Sequence, residues 1–272
     1  MRQARYNSGL TRPRLHHTLR RSITPVTAMT LPALPDNPIF CAVDTPAIDA
    51  AVHMAHTLRG LVGGVKLGLE FFGAHGPAGV RRIADEGHPI FLDLKLHDIP
   101  NTVASAVRAL VPLQPAFLTL HAAGGRAMLE AAVHAARDAA DEHHVPRPRL
   151  LGVTVLTSLD EDDLHDVGQD PSPVRQADRL AFLAQDAGLD GVVCSALEIA
   201  HLRRRHGAGF LLVVPGIRPS WTTQDDQKRV TTPEEAVDLG ASVLVIGRPI
   251  TRATDPAEAA RRIVADLPAA GG

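Results

Sequence analysis

The sequence predicts a single-domain α/β fold, a (β/α)₈ TIM barrel, and three observations carry that expectation. Eight short apolar runs recur along the chain, alanine-rich stretches with helical spacing separate several of them, and polar residues gather at the runs' C-terminal ends. Near-continuous apolar runs of this length mark strands buried on both faces, as in parallel sheets. Eight βα units in about 230 residues suit a barrel, typically near 250 residues.

The strands expected are Ile39–Asp44, Gly64–Gly68, Ile90–Lys95, Phe117–Ala122, Leu150–Thr157, Gly191–Ser195, Leu211–Gly216 and Val243–Gly247. After the first run, DTPAIDAA offers Pro46 and Asp49 as a helix opening. It carries no glycine fingerprint of the kind a doubly wound sheet places there, and that sheet is the alternative fold. The following IDAAVHMAHTLRG stops at Gly60, a plausible C-cap. GRAMLEAAVHAARDAADEHH reads as a helix after the fourth run, and PVRQADRLAFLAQDAGLD as another that stops at Gly188. Before the eighth run, Thr232 with Pro233, Glu234 and Glu235 reads as a helix start.

Composition excludes several classes of function. The 272 residues are 45% hydrophobic and 21% charged with a formal net charge of −2, so no basic excess points to nucleic acid. Aromatic content of 3% leaves few platforms for stacking bases. No apolar run approaches the roughly 18 residues of a membrane span, and two cysteines placed as unpaired thiols in apolar runs fit a reducing, cytoplasmic location. Cys41 and Cys194 lie inside apolar runs and read as buried thiols. No HExxH, GxSxG or Walker A pattern occurs. Residues 1–35 are arginine-bearing, with no acidic residue before Asp36; an organellar transit peptide can look like this, but poor amphipathicity and interrupting prolines favour a disordered or mis-started extension outside the domain at 36–272.

The chemistry concentrates in FLDLKLHDIPNTV, Phe91–Val103. Side chains at i and i+2 share one face of a strand, so Asp93 and Lys95 point together. Facing the helices would bury both charges in an apolar layer, so the barrel mouth is where they belong. Lys66 and Asp44 end neighbouring strands at similar height, and Asp98 follows in the loop. An alternation Asp44–Lys66–Asp93–Lys95 results, either a structural ion-pair network or a catalytic array. A lysine held between carboxylates stays protonated and serves as a proton donor. A carboxylate beside the reacting centre repels an anionic group of the substrate. Together these roles suit loss of a carboxylate followed by protonation of the carbanion left behind.

The seventh and eighth runs both end in glycine followed by arginine: Gly216 with Arg218, and Gly247 with Arg248. Barrels often bind phosphate with the loops after these two strands, and guanidinium groups suit phosphate oxygens. Between them, Pro219–Val230 reads as a lid, with Gln227 able to reach a phosphate. His121, at the end of the fourth run, reads equally well as structural or functional.

FLDLKLHDIPNTV together with VPGIRP and VIGRPIT resembles the orotidine 5′-phosphate decarboxylase family, over about Asp36–Leu267. The looser D-x-K-x-x-D pattern alone also admits Mg²⁺-dependent sugar-phosphate decarboxylases and aldolases, and a non-catalytic phosphate-binding barrel is a further alternative. The adjoining IPNT and GIRP segments favour the orotidylate branch. The resemblance implies a cofactor-free, metal-free homodimer that binds orotidine 5′-phosphate and forms UMP. It implies that Lys95 protonates carbon 6 of the pyrimidine and that Asp93 lies beside the substrate carboxylate. Lys66 and Asp98 complete the array, with Asp98 and Thr102 supplied by the other subunit. Asp44 is implied as a ribose contact and Thr157 as a pyrimidine contact. Arg218, Gln227, Gly247 and Arg248 are implied as the phosphate set.

Overall fold

The computed structural model describes residue 31 and residues 33–222 and 231–268. Eight strands alternate with helices: β1 (Ile39–Ala42), α1 (Ile48–Thr57), β2 (Gly64–Leu67), α2 (Leu69–Ala84), β3 (Ile90–Leu96), α3 (Pro100–Leu110), β4 (Phe117–His121), α4 (Arg126–His143) and β5 (Arg149–Val153) in the first part. Then follow α5 (Glu161–Asp166), α6 (Pro173–Asp186), β6 (Gly191–Val193), α7 (Ile199–His206), β7 (Leu211–Pro215), α8 (Pro233–Asp238), β8 (Val243–Ile246), α9 (Arg248–Thr251) and α10 (Pro256–Ala265). Every strand pairs in parallel with its sequence neighbours, and β8 returns to β1 at Ile39↔Leu244, closing the barrel.

The apolar runs are buried on both faces because two separate layers receive them. Alternate residues such as Ile39, Cys41, Val65, Leu67 and Leu92 join the layer between sheet and helices. On α4, Ala132, Ala135, Ala136, Ala139 and Ala140 are all buried there. Their small side chains let the helix approach its neighbours closely. The other set points inward, where Phe40, Phe91 and Phe117 stack edge to face with ring centroids 5.2–6.2 Å apart. Leu151, Leu211, Val213, Val243 and Val245 fill the rest of this inner cluster, and Leu34 packs against it. Gly64 stands opposite Phe40 in the β1–β2 register, and a Cβ there would come within 2.3 Å of the Phe40 ring. A glycine at this point lets the large ring occupy the axis.

Several boundaries differ from expectation. Pro46 precedes α1, whose N-cap is Ala47, while Asp49 does occupy the first turn. The turn after α1 uses Gly60 at φ +74°, and the turn after α6 uses Gly188 at φ +89°. The fifth strand ends at Val153, four residues short of Thr157, because Thr154 turns both its N–H and its hydroxyl onto the carbonyl of Val193. The helix expected from Thr232 is present: its hydroxyl accepts from the Glu235 N–H, and the Glu235 carboxylate accepts from the Thr232 N–H. Most of the 1–35 segment and most of the Pro219–Val230 loop lie outside the described residues.

Candidate active site

Above the phenylalanine layer the interior changes from apolar to charged within two residues of β3. Phe91 belongs to the aromatic floor, and Asp93, next on the same face, is 8% exposed and carries a carboxylate. A buried carboxylate needs partners, and Asp93 has three. Lys95 Nζ lies 2.8 Å from Oδ2, Lys66 Nζ lies 3.3 Å from the same oxygen, and the Thr119 hydroxyl donates to Oδ1 at 3.0 Å. Lys66 Nζ also lies 3.6 Å from Asp44 Oδ1. The alternation Asp44–Lys66–Asp93–Lys95 read from strand ends is thus a continuous chain of ion pairs. Burial pushes the Asp93 carboxyl up, but Lys66, Lys95 and the Thr119 hydroxyl outweigh it and hold the group below the usual carboxylate range.

Lys95 reaches this position by a route that strict strand alternation does not describe. The β3–β4 register slips, so that Asp93, Leu94 and Lys95 stand opposite the single residue Thr119. Lys95 itself adopts φ +50°, a left-handed conformation uncommon outside glycine. Its displaced N–H donates to Thr119 Oγ1 at 2.9 Å. Thr119 is fully buried and ties both ends of the Asp93–Lys95 pair. Nothing in the linear pattern singled out this threonine. The only available hint was a hydroxyl inside the otherwise apolar run FLTLHA.

Lys66, Asp93 and Lys95 line the inner half of a cavity whose walls include Phe91, Val153, Val193 and Thr157, and Asp44 lines the outer half. The outer half continues past Lys66, Thr157, Pro215 and Val245 toward Gly216, Arg218, Gly247 and Arg248. The two Gly–Arg strand ends therefore converge, as their repeated pattern foretold. Gly216 takes φ +78°, which favours glycine. Arg252, which the sequence reading passed over, lines the same outer half. Gln227 lies outside the described residues.

Asp98 and Thr102 stand apart from the array. Asp98 is exposed and accepts from the Ile99 N–H at 2.7 Å. It forms no ion pair with the described lysines of its own chain. Thr102 is exposed in the first turn of α3. Ile99 and Leu69, on the same rim, are 67% and 61% exposed. His121 does not line the cavity; it packs its ring 5.3 Å from that of His97. Burial first, then His97 and Lys95, lower its basicity. The cysteines are buried free thiols, and burial raises the pKa of both, Cys41 to about 12. Among the described residues no three His, Cys, Asp or Glu side chains come together as a metal-holding group.

An inner site with two ammonium groups around one carboxylate can stabilise negative charge and deliver a proton. An outer site with guanidinium groups can hold an anion at a distance. The model of the orotidine 5′-phosphate decarboxylase / HUMPS family matches residues 37–263. The chain is 54% identical over 240 residues to the orotidine 5′-phosphate decarboxylase of Rhodospirillum rubrum, covering 88% of this chain and 97% of that one. It is 56% identical over 231 residues to that of Novosphingobium aromaticivorans, covering 85% and 99%. Among solved structures, orotidine 5′-phosphate decarboxylase from Lactobacillus acidophilus superposes with a TM-score of 0.72 at 36% identity, covering 86% of this chain and all of that one.

Proposed function

The chain belongs to the orotidine 5′-phosphate decarboxylase / HUMPS family, and we propose how its own residues carry out the reaction. It decarboxylates orotidine 5′-phosphate to UMP and carbon dioxide, a carboxy-lyase step of pyrimidine biosynthesis. The observation that carries the residue assignment is the unbroken line of alternating charge that runs from Asp44 in the outer half of the cavity to Lys95 in the inner half.

The substrate is anionic at both ends. Its phosphate sits with Arg218, Arg248, Gly247 and Gln227, and Asp44 takes the ribose hydroxyls. Thr157 meets the pyrimidine. The substrate carboxylate then lies against Asp93, with Lys66 and Lys95 on either side. When the bond from carbon 6 to the carboxylate breaks, carbon dioxide departs and the electron pair remains on carbon 6. Lys95 delivers its proton there and takes another from solvent after UMP leaves.

Magnitudes require several contributions. Barriers of this kind are lowered by up to roughly 23 kcal/mol, whereas one pair of unit charges 4 Å apart is worth about 4 kcal/mol at an effective dielectric of 20. Preorganised charge must therefore be joined by binding energy from the remote phosphate. Asp93 is preorganised in this sense, since three donors hold it before substrate arrives.

The same proposal makes the active species a homodimer in which Asp98 and Thr102 reach the partner's array. Exposed Ile99 and Leu69 beside them support a contact surface there. It assigns catalysis to residues 36–272, with 1–35 outside the catalytic unit, and places the enzyme in the cytoplasm. Among the described residues no helix is long and apolar enough to cross a membrane.

Absorbance-monitored turnover of orotidine 5′-phosphate by purified protein, with and without a chelator, tests the reading. Fast, chelator-resistant formation of UMP is expected. Lys95→Ala should abolish turnover and still bind UMP; near-normal turnover by that variant would remove Lys95 from its role. Turnover only of sugar phosphates, and only with Mg²⁺, would move the chain to the other branch of the family.

A further inference from the structure

Beyond the two Gly–Arg strand ends, the outer half of the cavity is lined by a third arginine. Arg252 follows Arg248 by four residues, and its N–H donates to the Arg248 carbonyl at 3.0 Å, so the two share one helical turn. Residues spaced i,i+4 lie on one face, and like charges at that spacing repel. Arg218 approaches from the loop after β7. All three arginines line the outer cavity, and all three also border the hollow beside Trp221 and Thr222 that continues from it. Trp221 is itself steadied by the Arg262 guanidinium, 4.4 Å from its ring centroid.

Elsewhere many of the described arginines hold a carboxylate, although Arg81, Arg108, Arg137 and Arg204 stand singly on the surface without one. Arg59, Arg126, Arg147, Arg175, Arg205 and Arg261 each hold a carboxylate. No carboxylate among the described residues pairs with Arg218, Arg248 or Arg252. The one carboxylate lining the same half, Asp44, is engaged by Lys66, so among the described residues the three guanidinium groups repel one another until an anion arrives. A singly charged ligand would leave more positive charge uncompensated than a dianion does. We propose that Arg252 is a third phosphate-directed residue, completing with Arg218 and Arg248 a cradle for the dianionic phosphate of the substrate nucleotide. This inference rests on the nucleotide reading given above. Arg252 is exposed, so its part lies in capture and affinity rather than in the bond-breaking step.

The test compares UMP and uridine binding by calorimetry for wild type, Arg252→Ala and Arg252→Lys, with orotidine 5′-phosphate kinetics for the same proteins. Arg252→Ala should weaken UMP about fivefold or more, raise KM by a similar factor and leave kcat within about twofold. Uridine binding should not change, and the decline of UMP affinity with rising salt should become shallower. Arg252→Lys should recover most of the loss. The proposal is overturned if Arg252→Ala binds UMP as wild type does. It is overturned equally if Arg252→Lys and Arg252→Ala lose the same affinity together with thermal stability, since that marks a structural part. A wild-type protein that binds UMP through Arg252 yet never converts orotidine 5′-phosphate would count against the reaction, not against Arg252.

Discussion

Asp93 is kept ionised by two lysines and a threonine rather than by water, and this links the proposed site to acid stability. Its folded pKa is depressed, so its contribution to stability is fully present above the unfolded carboxylate value, roughly 3.9. That contribution is lost as pH falls through the lower folded value. Asp93→Asn should therefore be less stable than wild type at neutral pH, with the gap narrowing in acid. Denaturant midpoints measured at about pH 7 and pH 3 check this. A gap independent of pH would mean that the lysines do not stabilise the carboxylate. Asp44, Lys66, Asp93 and Lys95 were all legible in the sequence, because a charge inside an apolar strand must have a reason. Arg252 was not, because an arginine on a short polar stretch looks like any solvated side chain until its neighbours prove to be cations too.

At the scale of the element, β3 is where pattern reasoning reached the observed contact by too simple a path. Period-two alternation placed Asp93 and Lys95 on one face, and they do meet. They meet across a bulge, with Lys95 at φ +50° and three residues facing one. Bulges depend on the partner strand, so a single strand read alone does not disclose them. Thr119 is the partner's contribution. Thr119→Val removes an acceptor from the Lys95 N–H and a donor from Asp93 while nearly conserving shape. It should cost about 1–3 kcal/mol of stability. It should also lower kcat at least tenfold with UMP affinity nearly unchanged, since the phosphate end is untouched. Steady-state kinetics with UMP titration check this; a valine variant with full kcat would leave the bulge without a catalytic part. The eight strands themselves were legible throughout, since two-sided burial writes itself as continuous apolar sequence. Their C-terminal ends were less so: Thr157 belongs to the rim loop, where the chain lines the cavity instead of extending the sheet.

For the whole molecule, the proposed dimer makes a quantitative claim. If Lys95 of one protomer works with Asp98 of the other, Lys95→Ala and Asp98→Ala homodimers each have two damaged sites. A mixed dimer then has one site with both residues intact. Random subunit exchange in equal proportions, half of it giving mixed dimers, should restore about a quarter of wild-type activity per protomer. Activity that stays at the sum of the two inactive parents would place both residues in one chain's site or remove Asp98 from it.

The stacked Phe40, Phe91 and Phe117 rings, with Leu34 against the same cluster, have a consequence for traffic. They stop the barrel below Asp93, so the molecule is a cup rather than a pipe. Substrate, carbon dioxide and UMP must all use one doorway. In the proposed binding mode the gas forms at the closed end, between aromatic floor and pyrimidine, where Val153 and Val193 offer it an apolar wall. In that mode the nucleotide, with its phosphate nearer the opening, stands between the gas and solvent. Departure of the small product is thus tied to the looseness of the large one.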